Sequence, residues 1–358
     1  MRIGSKLVSL ALISLLALSG CSGNAEAEPT VTPTQTQTQT PEPTPEPVFV
    51  AAPLTGVLYE ESVAAHLALP AVSAKIDNTS AGRPQLSLND ADVVYVTRVE
   101  AGLTRLLPVW HSRVPEAIGP VRSIRPVDAA VAHPYGGILV FSGGQAPFKN
   151  AAKATGLVMS DEDTENGNDT YFREKSRKAP WNLFFSAQKL QQNYSDREAP
   201  KPGFEFSAEP TAVSLGSTLS ALVVKYPGST SKWDLGEASF PWGEAAESAW
   251  LRTMDKTEHV QHDGQRVVSK NVVVIEVEHD NSFRDPKYGA IPKAKLENNS
   301  GVAHIFSNGY YLKATWKKAA SADPILLFTD SGEPVRLAIG NTWVEMMDTA
   351  KSKLTITK

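Results

Sequence analysis

The sequence predicts an α+β fold, with a mixed α/β domain followed by a smaller, mostly antiparallel β domain. The first half alternates short apolar strands with helical segments, which is typical of a sheet covered by helices. The second half places turn signals such as Asp263-Gly264 and Asn308-Gly309 between apolar runs, which predicts antiparallel hairpins. The polar, proline-rich stretch 194–203 separates them. We therefore predict an N-terminal domain at residues 53–200 and a C-terminal domain at 201–358.

The chain begins with the features of an exported protein. Arg2 and Lys6 precede the apolar stretch Leu7–Leu18, which is shorter than the roughly 20 residues of a membrane-spanning helix. Cys21, the only cysteine, follows at the cleavage position. This arrangement resembles the bacterial lipobox, which implies a fatty-acylated Cys21 and an extracytoplasmic protein anchored to the cell membrane. The alternative is an ordinary signal peptide at residues 1–21 with an incidental cysteine.

Residues 22–52 read as a disordered linker. The stretch 28–48 consists mainly of Pro, Thr, Gln and Glu and lacks aromatic side chains, so it cannot bury a core. At about 3.1 Å per residue in a polyproline conformation, it reaches on the order of 60 Å from the membrane. A lipidated Cys21 leaves no thiol for catalysis, metal binding or disulfides. The net charge of -4 argues against non-specific nucleic-acid binding.

The predicted elements of the N-terminal domain are short. Ala101-Gly102 is a turn candidate between two apolar runs, so we expect the strands on either side of it to pair as a hairpin. Pro126 and Asp128 open the first helical pattern. The strands are 71–76, 93–99, 103–111 and 137–142, and the helices are 127–132 and 148–155.

The C-terminal domain is predicted from β-branched runs. In the strand 267–278, Val273, Ile275 and Val277 alternate with Val274, Glu276 and Glu278, which predicts one buried face and one partly wet face. The other predicted strands are 221–225, 302–317, 325–328 and 342–347.

Polar side chains follow the predicted strands of the N-terminal domain, where pockets commonly form. The candidate ligand-binding residues are Asp77, Asn78, Arg83, Asp92, Glu100, Arg105, Arg122, Ser123, Arg125, Ser142, Gly143 and Gly144.

Arg122 and Arg125 stand three residues apart, just before a helix start, and offer forked donors for a carboxylate or phosphate. Ser142-Gly143-Gly144 supplies backbone amides for an anion nest. Glu100 is the strongest candidate for a general base or ligand contact. The alternative is a structural ion network in which these arginines neutralise Asp77, Asp90, Asp92 and Glu100.

A run of motifs resembles the YerB-like bacterial lipoproteins, from about Leu54 to the end of the chain. It comprises IDN, RPQ, ADVVY, VEAGLTRLL, PEAIGPVRSIRP, FSGG, RKAPWNLF, KNVVV and NGYYLKATWKK. The resemblance implies a two-domain lipoprotein of uncharacterised function. Two positions depart from the expected pattern: Val96 stands in place of a glutamate, and Trp181 in place of a histidine.

No cofactor is expected, and the metal signals are weak. Asp161, Asp163, Glu165 and Asp169 faintly resemble a calcium loop but lack the EF-hand pattern. The histidines near residues 259–262 and 279 flank a hairpin, whereas zinc needs three or four convergent ligands. We expect a solvated loop and surface histidines.

Three functions remain open, and whether the protein is an enzyme stays undecided. The leading hypothesis is a membrane-anchored module whose arginine-rich pocket binds an anionic cell-envelope ligand or a partner protein. The second is an envelope phosphotransferase or hydrolase, because a stretch of roughly 35 residues loosely resembles the LytR-type phosphotransferases. That resemblance implies that Arg105, Arg122 and Arg125 stabilise a pyrophosphate and Asp92 holds a metal. The third is a scaffold lipoprotein whose β-rich domain offers an edge for strand addition.

Overall fold

A twelve-stranded mixed sheet dominates the computed structural model, which describes residues 46–165, 169–209 and 212–358. Cys21, the signal sequence and most of the predicted linker lie outside the described residues. Residues 47–358 form one compact unit. The central sheet takes strands from both halves of the sequence. The domain boundary near residue 200 therefore stays a prediction.

The strands of the described residues are numbered in chain order. They are β1 (Phe49–Ala51), β2 (Leu58–Glu60), β3 (Val72–Ala74), β4 (Ile76–Asp77), β5 (Val93–Arg98), β6 (Thr104–Trp110), β7 (Ala117–Ile118), β8 (Ile138–Val140), β9 (Val158–Ser160), β10 (Tyr171–Arg173), β11 (Leu183–Ser186), β12 (Glu205–Ser207), β13 (Ser217–Thr218), β14 (Ala221–Lys225), β15 (Thr230–Ser239), β16 (Ala246–Met254), β17 (Thr257–Glu258), β18 (Val268–Ser269), β19 (Asn271–Val277), β20 (His279–Asp280), β21 (Arg284–Asp285), β22 (Gly289–Ala290), β23 (Lys293–Ala294), β24 (Asn299–Ser307), β25 (Tyr310–Lys318), β26 (Leu326–Phe328), β27 (Arg336–Ala338), β28 (Thr342–Asp348) and β29 (Lys353–Thr357).

The helices are few and short. The α-helices are α1 (Asp128–Ala132), α2 (Ala146–Lys153) and α3 (Ala187–Asn193), and single-turn or 3-10 segments occupy Glu61–Ala68, Leu88–Asp90, Glu100–Gly102, His133–Tyr135 and Ala212–Leu215. Within the described residues, no helix is long and apolar enough to span a membrane.

The central sheet runs β13-β25-β24-β19-β28-β5-β6-β3-β8-β9, with β26 beside β25 and β4 beside β6. Strand β28 lies parallel to both β19 and β5, and β3, β8 and β9 are parallel to one another. Strand β6 is antiparallel to both β5 and β3. Strands β3, β5, β8, β9, β19 and β28 therefore all run the same way. Their carboxyl ends therefore lie along the same side of the sheet, where the strands end, and this side is called the carboxyl edge below.

Each face of the sheet is covered. Val131 of α1 and Phe148 of α2 belong to the apolar cluster on one face, together with Val344 of β28. A second, six-stranded sheet, β17-β16-β15-β14-β29 with β18, covers much of the other face. There Trp233 packs edge-on against Trp343, with ring centroids 5.1 Å apart. The core is thus two apolar layers, separated by the central sheet.

Several local predictions agree with the structure. Strands β5 and β6 form the expected hairpin, and the run 302–317 forms the hairpin β24–β25. The turn between β24 and β25 has Asn308 and Gly309 at φ of 52° and 82°, as a type I′ turn requires. The broad α+β assignment is confirmed, in a chain that is mostly β.

Two expectations are corrected by the structure, and one hairpin was not predicted. The strand 267–278 has no extended wet face: apart from partly exposed Glu276, β19 is buried on both sides, because the second sheet covers it. The linker does not reach residue 52, since Phe49–Ala51 pairs with β2. The long hairpin β15–β16 was not predicted from the sequence: its partial alternation of polar and apolar residues is typical of a strand, but Gly236 interrupts β15 and no long apolar run marks the hairpin.

The expectation of surface histidines is wrong for His259 and His279, which are buried in the folded unit, as is His111. Burial lowers the pKa of His111 and of His279 to about 4, and it lowers the pKa of His259 well below the usual value. Arg252 donates to Nδ1 of His259 at 2.8 Å, so Nε2 carries the proton and donates to Gln85 at 2.8 Å. These histidines are therefore neutral in the native protein.

We expect stability to fall as the pH drops from 7 to 5. The unfolded chain protonates its histidines near pH 6.5 and the folded one does not, so each buried histidine removes about 2 kcal/mol by pH 5. Asp92 offsets about 1 kcal/mol, because burial raises its pKa to about 6 and the folded state takes up a proton first. Urea unfolding at both pH values measures the difference. His111→Gln should reduce the drop and exposed His262→Gln should not; an equal drop in both variants would contradict the assignment.

Candidate functional site

The carboxyl edge brings together most of the candidate residues. Strands β3 and β4 end near Asp77, β5 ends just before Glu100, and β8 ends just before Ser142. Because β6 runs antiparallel, its first residues, including Arg105, lie at the same edge. The charged side chains gathered there are called the arginine cluster below. Its members are Lys75, Asp77, Glu100, Arg105, Arg122, Arg125 and Asp128.

Backbone pairing holds the segment 121–125 against this edge. The amide of Arg122 donates to the carbonyl of Lys75 at 2.8 Å, and Ser142 donates to the carbonyl of Arg122 at 2.9 Å. The amide of Ile124 donates to the carbonyl of Gly143 at 3.1 Å. The loop Ser142–Gly144 therefore lies beside the arginines, as the sequence predicts. Gly143 and Gly144 are exposed and have positive φ, which suits an L-residue poorly.

Glu100 is the central anion of the arginine cluster. Arg125 holds it with two hydrogen bonds, from Nε to Oε2 at 2.8 Å and from Nη2 to Oε1. Arg105 Nη2 lies 3.6 Å from the same Oε1. Burial alone would raise the pKa of Glu100, but the hydrogen bond from Arg125 and the two guanidinium charges lower it to about 2. Glu100 is thus a poor general base.

Ser123 contributes its carbonyl oxygen. It accepts hydrogen bonds from Arg105 at 2.8 Å and from Arg125 at 3.2 Å. Burial, together with the neighbouring charge of Arg125, lowers the pKa of Arg105 to about 10. The two guanidinium groups are therefore fixed side by side despite their mutual repulsion.

Arg122 lies at the rim. Its Nε is 2.9 Å from Oδ2 of Asp77, an ion pair without the alignment of a hydrogen bond, and its Nη1 donates to the carbonyl of Pro180 at 3.2 Å. The guanidinium lies 6.0 Å from the ring centroid of Trp181. The Arg122 side chain is 20% exposed, the largest exposure in the cluster. It is the member that an external anion can reach most directly.

A buried lysine was missed at the sequence level. Lys75 is fully buried, and its Nζ donates to Oδ1 of Asp128 and to Oγ1 of Thr97, both at 2.6 Å. Burial lowers the pKa of Lys75 to about 8, and nearby Arg105 adds to the effect. The available signal was a lysine inside the apolar strand 71–76. Asp128 was noticed only as a helix start.

Three candidates lie apart from the arginine cluster. Asp92 precedes β5, at the opposite end of the strand from Glu100, and accepts hydrogen bonds from the amides of His111 and Ser112. Five residues of extended strand, from 93 to 97, correspond to about 16 Å. Arg83 pairs instead with Asp255 at 3.2 Å.

Asn78 is the third, and it joins a second buried network around Arg252. Its Nδ2 donates to Thr104 at 2.8 Å, and Arg252 lies 3.4 Å from its Oδ1. Arg252 is fully buried against Trp343, 4.6 Å from the ring centroid, and 3.8 Å from Oε1 of Glu345. Sequence patterns did not predict this network; the available signals were Arg252 in the stretch 246–254 and Glu345 in the stretch 342–348.

The arginine cluster has a small excess of positive charge. It contains four cations, Lys75, Arg105, Arg122 and Arg125, and three carboxylates, Asp77, Glu100 and Asp128. The turn before Trp181 contains Lys175, Arg177, Lys178 and Glu174, and Arg177 Nη1 donates to the carbonyl of Gly82 at 3.2 Å. The chain as a whole has a net charge of -4. This edge therefore attracts anions, while its carboxylates are engaged in ion pairs.

The part of the chain that the structure describes contains no group of three or more potential metal ligands. In the acidic loop, residues 166–168 lie outside the described part. Oδ1 of Asp161 accepts the amide hydrogens of Asp163 and Thr164 at 3.1 and 2.9 Å, so it is used in a turn.

The two positions that depart from the expected family pattern have different surroundings. Val96 is fully buried within β5 and packs in the core. Trp181 lies at the rim beside Arg122. The substitution at 181 therefore places an indole next to the most accessible arginine.

Comparison with known proteins places this fold in a described family. The models of the family "Protein of unknown function (DUF3048)" match residues 54–201 with the N-terminal domain and 230–344 with the C-terminal domain. A relative from Bacillus subtilis (strain 168), named "Putative lipoprotein YerB", is 24% identical over 309 residues, which cover 83% of this chain and 86% of the relative. The crystal structure of YerB superposes with a TM-score of 0.69 at 20% identity, and covers 86% of this chain and 99% of that one.

Proposed function

Because this chain belongs to the DUF3048 family, which agrees with the YerB-like resemblance of its sequence, we propose that it binds an anionic cell-envelope ligand through the arginine cluster. We place the protein outside the cytoplasm, anchored through a lipid on Cys21. The similarity to a named lipoprotein and the lipobox-like segment support this location. The stretch 22–48 would let the folded unit work at a distance from the membrane.

The observation that carries the proposal is the position of Arg122. It is partly exposed, lies beside Trp181, and belongs to a cluster with more cations than carboxylates. A guanidinium recognises phosphate or carboxylate oxygens with two parallel donors. Gly143 and Gly144 are exposed on the neighbouring loop, and their backbone amides would add donors for the same anion.

The phosphotransferase hypothesis has less support. It requires Asp92 as a metal ligand near the arginines, but Asp92 lies at the other end of β5. The three carboxylates of the arginine cluster are each paired with a lysine or arginine side chain. We therefore favour binding over catalysis.

Replacing Arg122 should weaken binding to envelope material. We expect Arg122→Gln to reduce the affinity of the full chain for purified cell walls by about tenfold, because one charge-assisted interaction is lost. Cosedimentation with walls measures the affinity, and walls stripped of their phosphate polymers by acid provide the ligand control.

Arg336→Gln is the matched protein control, because this arginine is 63% exposed and forms a surface pair with Glu205. It should bind like the wild type. Equal binding by Arg122→Gln and wild type would refute the proposal. Equal melting temperatures of the two proteins show that a loss of binding does not come from unfolding.

A further inference from the structure

A second cleft opens at the carboxyl edge, next to the arginine cluster. Its volume is about 220 Å³, and we call it the Arg98 cleft. It lies where β5, β28 and β19 end, which is where ligands commonly bind in sheets with parallel strands. Residues that line it include Arg98, Gly102, Pro227, Asn281, Tyr288 and Lys351.

Arg98 gives the cleft a buried cation. Its side chain is only 5% exposed, and it donates to the carboxylate of Asp348 and to Oδ1 of Asn281. Its Nε is buried and has no hydrogen-bond partner among the described residues. Because that atom has no accessible surface, a ligand in the cleft does not reach it, and Arg98 contributes its positive charge rather than this donor.

The charge around the Arg98 cleft favours an anion. Arg98 and exposed Lys351 are positive, and Asp348 is the carboxylate that faces Arg98. His279 lies 3.9 Å from Asp348 and is neutral, because burial lowers its pKa to about 4. Tyr288 is 54% exposed at the cleft and offers an aromatic surface to the ligand.

The cleft and the arginine cluster meet at one turn. Glu100 of this turn faces Arg105 and Arg125, while its neighbours Ala101 and Gly102 line the Arg98 cleft. The segment of Arg122 pairs with β4, β4 pairs with β6, and β6 pairs with β5, which ends at Arg98. Three spacings of roughly 4.8 Å put the two positive sites about 14 Å apart.

We propose that the Arg98 cleft is a second subsite for the same ligand, which makes that ligand a linear polyanion with repeated charged groups. This inference rests on the proposed function of the arginine cluster. The cleft is smaller than the roughly 300–1,000 Å³ of pockets that enclose a drug-sized molecule, so it accommodates one charged group of a chain. A chain that reaches both sites binds more tightly than a single anion, because its second contact is intramolecular.

The test compares a long polyanion with a single anion on the full chain. Linear polyphosphate is the long probe and inorganic phosphate the short one, with affinities from isothermal titration calorimetry. Lys351→Gln removes the exposed charge of the cleft, and Arg122→Gln removes that of the cluster. Lys313→Gln, at an exposed position of β25, is the matched control.

We expect Lys351→Gln and Arg122→Gln each to weaken polyphosphate binding by about three- to tenfold, and Lys313→Gln to leave it unchanged. The preference for polyphosphate over phosphate should fall in both cleft and cluster variants. If only Arg122→Gln has an effect, the second subsite is refuted and the proposed function stands. If Arg122→Gln has no effect, both fail. If Lys313→Gln weakens binding equally, the interaction is general surface attraction and the subsite is refuted.

Discussion

Replacing Glu345 with alanine should destabilise the protein by about 3–5 kcal/mol, the range for removing one partner of a buried ion pair. Glu345 is fully buried, and its carboxylate accepts hydrogen bonds from Tyr226 at 2.8 Å, Ser231 at 2.5 Å and Trp233 at 3.1 Å. Arg252 Nη2 lies 3.8 Å away. Alanine leaves these donors unsatisfied and the guanidinium unpaired in the core.

Chemical unfolding followed by tryptophan fluorescence measures the loss. Glu258→Ala is the matched control, because Glu258 also pairs with an arginine, Arg266, but is 72% exposed. Its loss should be below about 1 kcal/mol. If Glu345→Ala prevents folding, Glu345→Gln keeps the shape and provides the measurement. A change below 1 kcal/mol for both Glu345 variants would mean that the buried charge is dispensable.

The second large effect is expected at Lys75. Lys75→Met removes the ammonium that neutralises fully buried Asp128, and we expect a loss of about 3–5 kcal/mol for the unpaired carboxylate. Oδ2 of Asp128 also accepts the amide of Arg125 at 2.6 Å, so the helix start that follows the arginines should loosen as well. Urea denaturation of the variant gives the free energy of unfolding.

A double-mutant cycle separates the ion pair from packing. Lys75→Met combined with Asp128→Asn should recover a substantial part of the loss, because no charge remains unpaired. Lys232→Met is the control: Lys232 pairs with Asp234 at 2.8 Å, but both are about 40% exposed, so the loss should be below about 1 kcal/mol. Losses that simply add in the double variant would exclude coupling between Lys75 and Asp128.

These two buried pairs have different relations to the proposed ligand. The Lys75–Asp128 pair stabilises the buried part of the arginine cluster, because Arg125 donates its backbone amide to Asp128 and its Nε to Glu100. The Glu345 pair lies between the two sheets and joins residues from both halves of the sequence, including Asn78. Destabilisation at Lys75 should therefore also weaken polyanion binding, whereas the Glu345 network is structural.

Local signals in the sequence were sufficient for many elements. Asn308-Gly309 adopts the positive φ values that its hairpin needs, and Ala101-Gly102 turns the chain between β5 and β6, because both depend on neighbouring residues alone. The sequence also placed Asp77, Glu100 and Ser142 near strand ends, where the structure has them, while their role in binding stays a prediction. Whether those strands run in the same direction could not be read from the sequence.

The sequence by itself determined a broad α+β fold and a set of arginines and carboxylates near strand ends, and its single cysteine at a lipobox-like position predicts export and a lipid anchor. Only the tertiary structure decided that β28 lies between β19 and β5, which unites the two halves in one sheet. It also decided that Asp92 lies at the far end of β5, and that Lys75 is buried against Asp128. The physical reason is that strand order and ion pairing depend on contacts between residues far apart in the chain, about which local periodicity contains no information.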